Sequence, residues 1–345
     1  MRPKKRITIY DLAKELGVSA SYISRALNNH PSISEKVKEK VRKKSLELNY
    51  KHNSHAANLR QGSSKTIGVI VPLINHSFFS EAIAGIEEVC FEKNHSLVIC
   101  QSHESFAHEC KAIETLIHQN VDCILISVSA ETKTATHLEN ILQHNIDLIQ
   151  FDRCMKEVDS YKVSNDNFEA SYSATKSLFE QGYKRVAFLG GPEHTVIFKQ
   201  RKEGFLKALK ESGYSIPYNF IADDCLPREK TLEIVKELIA LKEPPDAFLA
   251  VSDHQSLAVL EVAANQKINV PEELGIFGFA NEAFSSIIRP SLSSVDQKSK
   301  ELGKHAARIY FDNILNNGDN NTIAITEEII KSEIVIRESS KKMKA

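Results

Sequence analysis

No run of about 18 apolar residues occurs in this chain of 345 residues, so a helix crossing a lipid bilayer is not expected. RPKKRITIY near the start is followed by no apolar stretch, so an export signal is not expected either. The six cysteines (Cys90, Cys100, Cys110, Cys123, Cys154 and Cys225) are scattered, with no CxxC pair and no metal-ligand spacing. Several sit in apolar runs such as DCILIS, and they read as reduced core residues of a cytoplasmic protein. No nucleophile–base pair, GxGxxG or P-loop pattern is present. GGPEH at 190–194 reads as a strand-to-helix turn. Catalysis is therefore not expected, nor is a metal or cofactor. Low-complexity segments are missing. The terminal RESSKKMKA carries no heptads, which favours a homodimer over a tetramer built through a coiled-coil tail.

What is present is a charge asymmetry. Residues 1–65 contain 15 Lys or Arg against 5 Asp or Glu, whereas the remainder contains 29 against 40. A basic head on an acidic body points to a local nucleic-acid surface whose grip weakens with salt. The length suits two or three domains, and 42% hydrophobic content suffices for packed cores.

Residues 8–28, TIYDLAKELGVSASYISRALN, read as two short helices joined at Gly17. Ile9, Leu12, Ala13 and Leu16 form one apolar stripe. Thr8 and Asp11 have capping-box spacing, with Asp in place of the usual Glu. Gly17 suits a left-handed helix end. Ser19 would cap the second helix, with Val18, Ile23, Ala26 and Leu27 on its buried side. Its outward side is Ala20, Ser21, Tyr22, Ser24, Arg25 and Asn28, small and polar side chains suited to a major groove. The competing reading is an ordinary helical hairpin within a larger core. A third helix is expected from Ser34 to about Leu48, closed by Val37, Val41 and Leu48. Its face of Lys36, Lys38, Lys40, Lys43 and Lys44 is expected to be solvated.

TIYDLAKELGVS, SRALN, SISEKVKEKV, ELNY and TIGVIVP together resemble the LacI/GalR (lactose repressor) family of transcriptional regulators, along nearly the whole chain. The resemblance implies that Thr8 and Tyr10 touch phosphate and that Ser19 and Tyr22 anchor the second helix on the DNA backbone. Ala20, Ser21 and Arg25 would then face base edges, Arg25 with a bidentate fork for guanine. Asn28 and Ser32 match further backbone contacts. Tyr22 replaces the threonine usual in the family. NSHAANLR at 53–60 matches the family's hinge helix, which forms when two subunits meet in the minor groove. Ala56 would allow close approach there, and Leu59 falls where the family inserts a leucine between base pairs. Ala57 stands where an Arg is frequent. Alone, the segment is too short to be a stable helix, which suits folding on binding; a plain flexible linker is the rival reading.

From Ile67 apolar runs alternate with amphipathic helices. TIGVIVP, HSLVICQ, DCILISV and IDLIQFD read as buried parallel strands, with helices near 78–93, 106–119 and 133–143. After about Asn165 the scheme restarts with RVAFLGG, NFIADD, DAFLAVS and LGIFGFA as strands. The expected class is α/β. A three-helix helix-turn-helix head (1–52) and a hinge helix with linker (53–65) precede a two-lobed, periplasmic-binding-protein-like body (66–340) of doubly wound parallel sheets. The family topology implies chain crossings near 162–165, 290–296 and 321–326. The N-lobe would then hold about 66–163 and 295–322, and the C-lobe about 164–292 and 325–338.

Ligands of open α/β sheets bind at the carboxyl ends of strands. Phe78, Phe79, Ser129, Asp152 and Asp253 stand just past expected strands, and Arg201 matches the family's effector-binding arginine. Phe78 and Phe79 read either as ring-stacking or as core residues. Asp152 and Asp253 read either as ligand contacts or as helix caps. Many sugar- or purine-binding relatives place an Asp after the glycine-aromatic pair that GFANEA occupies here, where Ala280 stands, and Asn281 next to it is the candidate effector contact at this place. Their aromatic before the next helix falls at Cys225 or Leu226, and Ser252 replaces an Asn. The resemblance implies a repressor that binds a palindromic double-stranded operator as a homodimer under a sugar-like effector. A protein corepressor fits the same class. A solute-binding transport protein would share the body, but the basic head argues against it.

Leu59→Ser is expected to weaken operator binding and reduce DNA bending in gel-shift and bending assays while the body stays folded; unchanged binding and bending would remove Leu59 from the mechanism.

Overall fold

The computed structural model describes residues 7–50, 63–315 and 327–342. The chain divides into two compact units, Met1–Ser64 and Lys65–Ala345.

The first unit contains α1 (Ile9–Leu16), α2 (Ala20–Leu27) and α3 (Glu35–Glu47). Thr8 and Asp11 close the capping box, with Thr8 N donating to Asp11 Oδ2 at 2.8 Å and Asp11 N donating to Thr8 Oγ1 at 3.3 Å. Gly17, at φ 68°, ends α1 in the left-handed region. Ser19 Oγ accepts from Tyr22 N at 3.2 Å and caps α2. Leu12, Ala13, Ile23, Ala26, Ile33 and Val41 make the buried core. Three details differ from expectation. Val18 is exposed, because it lies in the turn before α2 and outside that helix's apolar register. Ser34 occupies the N-cap of α3 without a side-chain cap bond. Lys38 is buried, its stem covering apolar surface while its ammonium donates to Glu35 Oε1 at 2.6 Å. The hinge segment 53–60, with Ala56 and Leu59, lies outside the described residues.

In the second unit, one sheet holds β1 (Thr66–Val71), β2 (Ser96–Gln101), β3 (Cys123–Ile126), β4 (Asp147–Phe151), β5 (Tyr161–Asn165) and β11 (Glu327–Ile330), ordered β11-β5-β4-β3-β1-β2 and parallel throughout. The other holds β6 (Val186–Leu189), β7 (Ile221–Ala222), β8 (Ala247–Ala250), β9 (Gly275–Phe279), β10 (Ser293–Asp296) and β12 (Glu333–Val335), ordered β12-β10-β9-β8-β6-β7. Only β12 runs antiparallel, against β10. The helices α4 (Ser77–Glu92), α5 (Phe106–His118), α6 (Thr136–Gln143), α7 (Asn167–Glu180), α8 (Val196–Ser212), α9 (Arg228–Ile239), α10 (Asp253–Gln266) and α11 (Ser299–Arg308) cover these sheets. Each sheet carries an apolar core on both faces, which is why its central strands are largely hydrophobic runs, but β2, expected to be buried, is an edge strand with Ile99 exposed. Among the described residues no helix is long and apolar enough to cross a membrane.

The chain changes sheets after Asn165, after Asp296 and between Ile330 and Glu333. The first two changes fall at the ends of the ranges that the family topology implied, 162–165 and 290–296, whereas the third comes after 321–326. Residues 164–165 and 327–330 belong to the first sheet and 295–296 to the second. β11 is an edge strand with alternate residues exposed, so EEII carries no apolar run to reveal it. A buried Asn165 ties the crossings together. Its Nδ2 donates to Gln297 O at 2.8 Å and Ile330 O at 3.1 Å, and its Oδ1 accepts from Gln297 Nε2 at 3.2 Å.

After the second crossing α11 packs along α4, backbone against backbone. A Cβ on Gly85 would collide with Lys300 O, and one on Gly303 with Ala82 O. Neither obstacle is a movable side chain. Gly303→Ala is therefore expected to destabilise the body by about 1–3 kcal/mol in chemical denaturation; an unchanged midpoint would show that the helices separate freely.

Candidate functional site

The carboxyl ends of both sheets border one cavity of about 1230 Å³. Of the residues expected there, Phe78, Phe79, Asp152, Arg201 and Asp253 line it, whereas Ser129 and Asn281 do not. Phe78 and Phe79 are buried and meet edge to face, with centroids 5.1 Å apart. They belong both to the core and to the cavity wall.

Arg201 sits in α8 with its guanidinium 4.3 Å from the centre of the Phe279 ring. Its Nε donates to Asn167 Oδ1 at 2.8 Å and its Nη1 to Val251 O at 2.7 Å. Nη2 has no hydrogen-bond partner among the described residues. Burial lowers its pKa to about 10, opposed by the charge of Asp152. Asp152 follows β4 at φ 58° and accepts from Ser127 Oγ at 3.1 Å. Burial raises its pKa, and the Arg153 and Arg201 charges hold it down.

Asp253 opens α10, but the cap is Ser252, whose Oγ accepts from Gln255 N at 3.3 Å. Both Asp253 oxygens serve the protein. Oδ1 accepts from Ser294 Oγ at 2.7 Å, and Oδ2 accepts from Ser285 Oγ and Glu282 N, each at 2.8 Å. The carboxylate thus organises the segment after β9. Burial pushes its pKa up to about 7.

Ser129 turns behind the wall. Its N–H donates to the buried Glu109 and its hydroxyl lies 2.8 Å from Thr132 Oγ1. Asn281 is rotated off the wall by two successive left-handed residues, Ala280 at φ 106° and Asn281 at φ 50°. Its Oδ1 accepts from Arg337 Nη2 at 2.7 Å instead. Ala280, Ser252 and Leu226 line the cavity at the three positions that depart from the family pattern, while Cys225 lies in the core.

Sequence reading missed Arg153, Glu104, Phe198, His76, His254 and Glu282, all on the wall. Arg153 is buried and donates from Nη1 to Glu104 Oε2 at 2.7 Å. Its guanidinium lies 5.8 Å from the Phe79 ring centre and 5.4 Å from that of Phe198, so it spans the two lobes. Its place directly after Asp152 was the available signal. His76 stacks on His254 with centroids 4.0 Å apart. Glu282 reaches from the second lobe to accept from Ser77 N at 2.9 Å and Phe78 N at 3.4 Å, at the N-terminus of α4.

On the first unit, Ser21, Arg25 and Asn28 are exposed and four and three residues apart, so they share one face of α2. Ser24 is half-buried. Ala20 and Tyr22 are partly packed on the core, unlike the fully outward positions expected for them. Tyr10 is 73% exposed. Thr8 has its hydroxyl in the capping box, and the Ser32 hydroxyl lies 2.8 Å from His30 Nδ1.

Residues 8–53 match the family described as bacterial regulatory proteins, lacI family, and residues 175–340 match the periplasmic binding protein-like domain. Catabolite control protein A of Priestia megaterium is 28% identical over 304 residues, 88% of this chain and 91% of that protein. The crystal structure of the lac repressor dimer bound to operator and the anti-inducer ONPF has a TM-score of 0.83 at 19% identity, covering 98% of this chain and 100% of that one. A complex of the transcriptional regulator CelR with cellobiose has a TM-score of 0.72 at 22% identity, covering 97% and 100%. These two structures share the fold.

Asp253 gives the cavity wall a pH signature. Its folded pKa of about 7 lies above the ordinary 3.8, so its stabilising contribution is complete below the ordinary value and lost as pH rises through 7. Asp253→Asn is expected to flatten that part of the stability curve between about pH 4 and pH 7 in urea titrations; parallel curves for both proteins would refute the assignment.

Proposed function

The chain belongs to the lacI family of bacterial regulatory proteins, and on that premise we propose that it represses transcription as a homodimer on an inverted-repeat operator, under control of a sugar-like ligand in the cleft. The observation that carries the reading is the exposed Ser21, Arg25 and Asn28 face of α2 within a basic first unit. Two such heads related by a two-fold axis require mirrored half-sites. Thr8, Tyr10, Ser19, Tyr22, Asn28 and Ser32 are proposed for the DNA backbone, Ala20, Ser21 and Arg25 for base edges, and Ala56 and Leu59 for the minor groove.

The cavity supports the ligand class. Phe78, Phe79, Phe198 and Phe279 supply flat apolar faces, and Arg201, Arg153 and Asp152 supply polar groups of both signs beside them. A polyhydroxylated ring has complementary faces and edges. Arg201 Nη2 is its proposed anchor. The CelR complex contains cellobiose in a like fold, and the lac repressor structure is bound to operator. Ligand and operator are coupled here through 53–60, at about 1–3 kcal/mol, which corresponds to a 5–150-fold change in DNA affinity.

Selection of bound DNA from random fragments by the purified full chain, with and without a sugar panel, tests the reading. It is expected to enrich inverted repeats and to identify a sugar that shifts affinity within that range. Arg25→Ala is expected to relax preference at one base pair per half-site by about 1–3 kcal/mol. A chain that bound sugar tightly but preferred no inverted repeat over scrambled competitor would instead be a solute-binding protein.

A further inference from the structure

We propose that His76, His254 and Glu282 form a site for a divalent transition-metal ion that bridges the two lobes at the edge of the cleft. His76 precedes α4 on the first lobe, and His254 (in α10) and Glu282 (after β9) come from the second. Their nitrogen and carboxylate ligand atoms all lie within 4.8 Å of one another. His254 Nε2 is 3.9 Å from Glu282 Oε2, too far for a hydrogen bond. That nitrogen is buried and has no hydrogen-bond partner among the described residues. An unmet ring nitrogen beside a buried carboxylate is an unfavourable arrangement unless something stands between them.

A metal ion supplies what the gap lacks. Zinc–ligand bonds of about 2.0–2.2 Å in a tetrahedral shell separate ligand atoms by roughly 3.3–3.5 Å. From within 4.8 Å of one another, the three ligand atoms would have to draw in around the ion to reach that spacing. The Glu282 carboxylate is already fixed by the Ser77 and Phe78 N–H groups, and such an outer partner orients a ligand for its metal. Two imidazoles and one carboxylate suit Zn²⁺, and Co²⁺ as its spectroscopic substitute. Three protein ligands leave a coordination position for water or for an oxygen of a molecule in the cavity. Because the ligands come from both lobes, the ion favours the lobes together. No spacing pattern betrays the site in the sequence, since its members lie on three separate elements.

Titration of the full chain, stripped of metal by chelator and free of DNA and sugar, tests the site independently of the regulatory reading. Zn²⁺ is followed by calorimetry and Co²⁺ by its visible d–d absorption. The chain has 13 histidines, so the variants decide. His76→Ala and His254→Ala are each expected to weaken the tightest site at least about tenfold, to abolish the cobalt band and to remove the rise in melting temperature that Zn²⁺ causes. Glu282→Gln keeps an acceptor for Ser77 N–H but gives up the one for Phe78 N–H, so it is expected to lower the metal-free melting temperature and to weaken Zn²⁺ binding as the histidine variants do. Absence of a cobalt band, or equal Zn²⁺ affinity in the native chain and both histidine variants, would overturn the proposal.

Discussion

The two lobes are one device because of a single buried amide. Asn165 stands at the end of β5, where the chain first leaves the first sheet, and its side chain bonds to the backbone of the other two crossings. Asp166 adds a bond from Ser332 N at 2.8 Å. Three strands that would otherwise be independent tethers are thereby held at one place. Relative movement of the lobes must turn about that place. The close helix crossing at Gly85 and Gly303 has the complementary effect, making α11 part of the first lobe's rigid body although it follows a strand of the second.

Around the cavity, charge is balanced by contact rather than by solvent. Arg153 and Arg201 are both buried, and each rests against aromatic rings and has a carboxylate nearby. A buried guanidinium without such neighbours would be strongly unfavourable. The aromatic residues therefore have two roles. They present flat faces to the cavity, and they accommodate the cations that give it polar edges. Asp253 shows the same economy on the second lobe, where its two oxygens fix the residues after β9 and leave Glu282 aimed across the cleft.

Much of this was legible in the residues. The capping box, Gly17 and the stripe of the first helix act through local geometry, and local geometry is written in short motifs. Strands β1, β3, β6, β8 and β9 are buried along their length and therefore appear as largely apolar runs. β5 and β11 escaped because YKVSN and EEII are largely polar, and their place is set by pairing with each other across more than 160 residues of sequence. Phe78, Phe79, Asp152 and Asp253 were found because position past a strand is enough to bring them to the cavity, and Arg201 through the family resemblance. Position was not enough for Ser129 or Asn281. There the direction of the side chain depends on a buried carboxylate, Glu109, and on two left-handed residues, none of which a linear pattern announces. Tyr22 illustrates the same limit in the head, since its ring is large enough to lean back onto the helices it was expected to face away from.

Glu282 holds two amide groups at the start of α4 from the opposite side of the cleft. Those amides belong to a helix end and have no intrahelical acceptor of their own. Separation of the lobes would surrender both bonds and hand a helix end back to water, so the arrangement with the lobes together carries a cap that the first lobe cannot supply for itself.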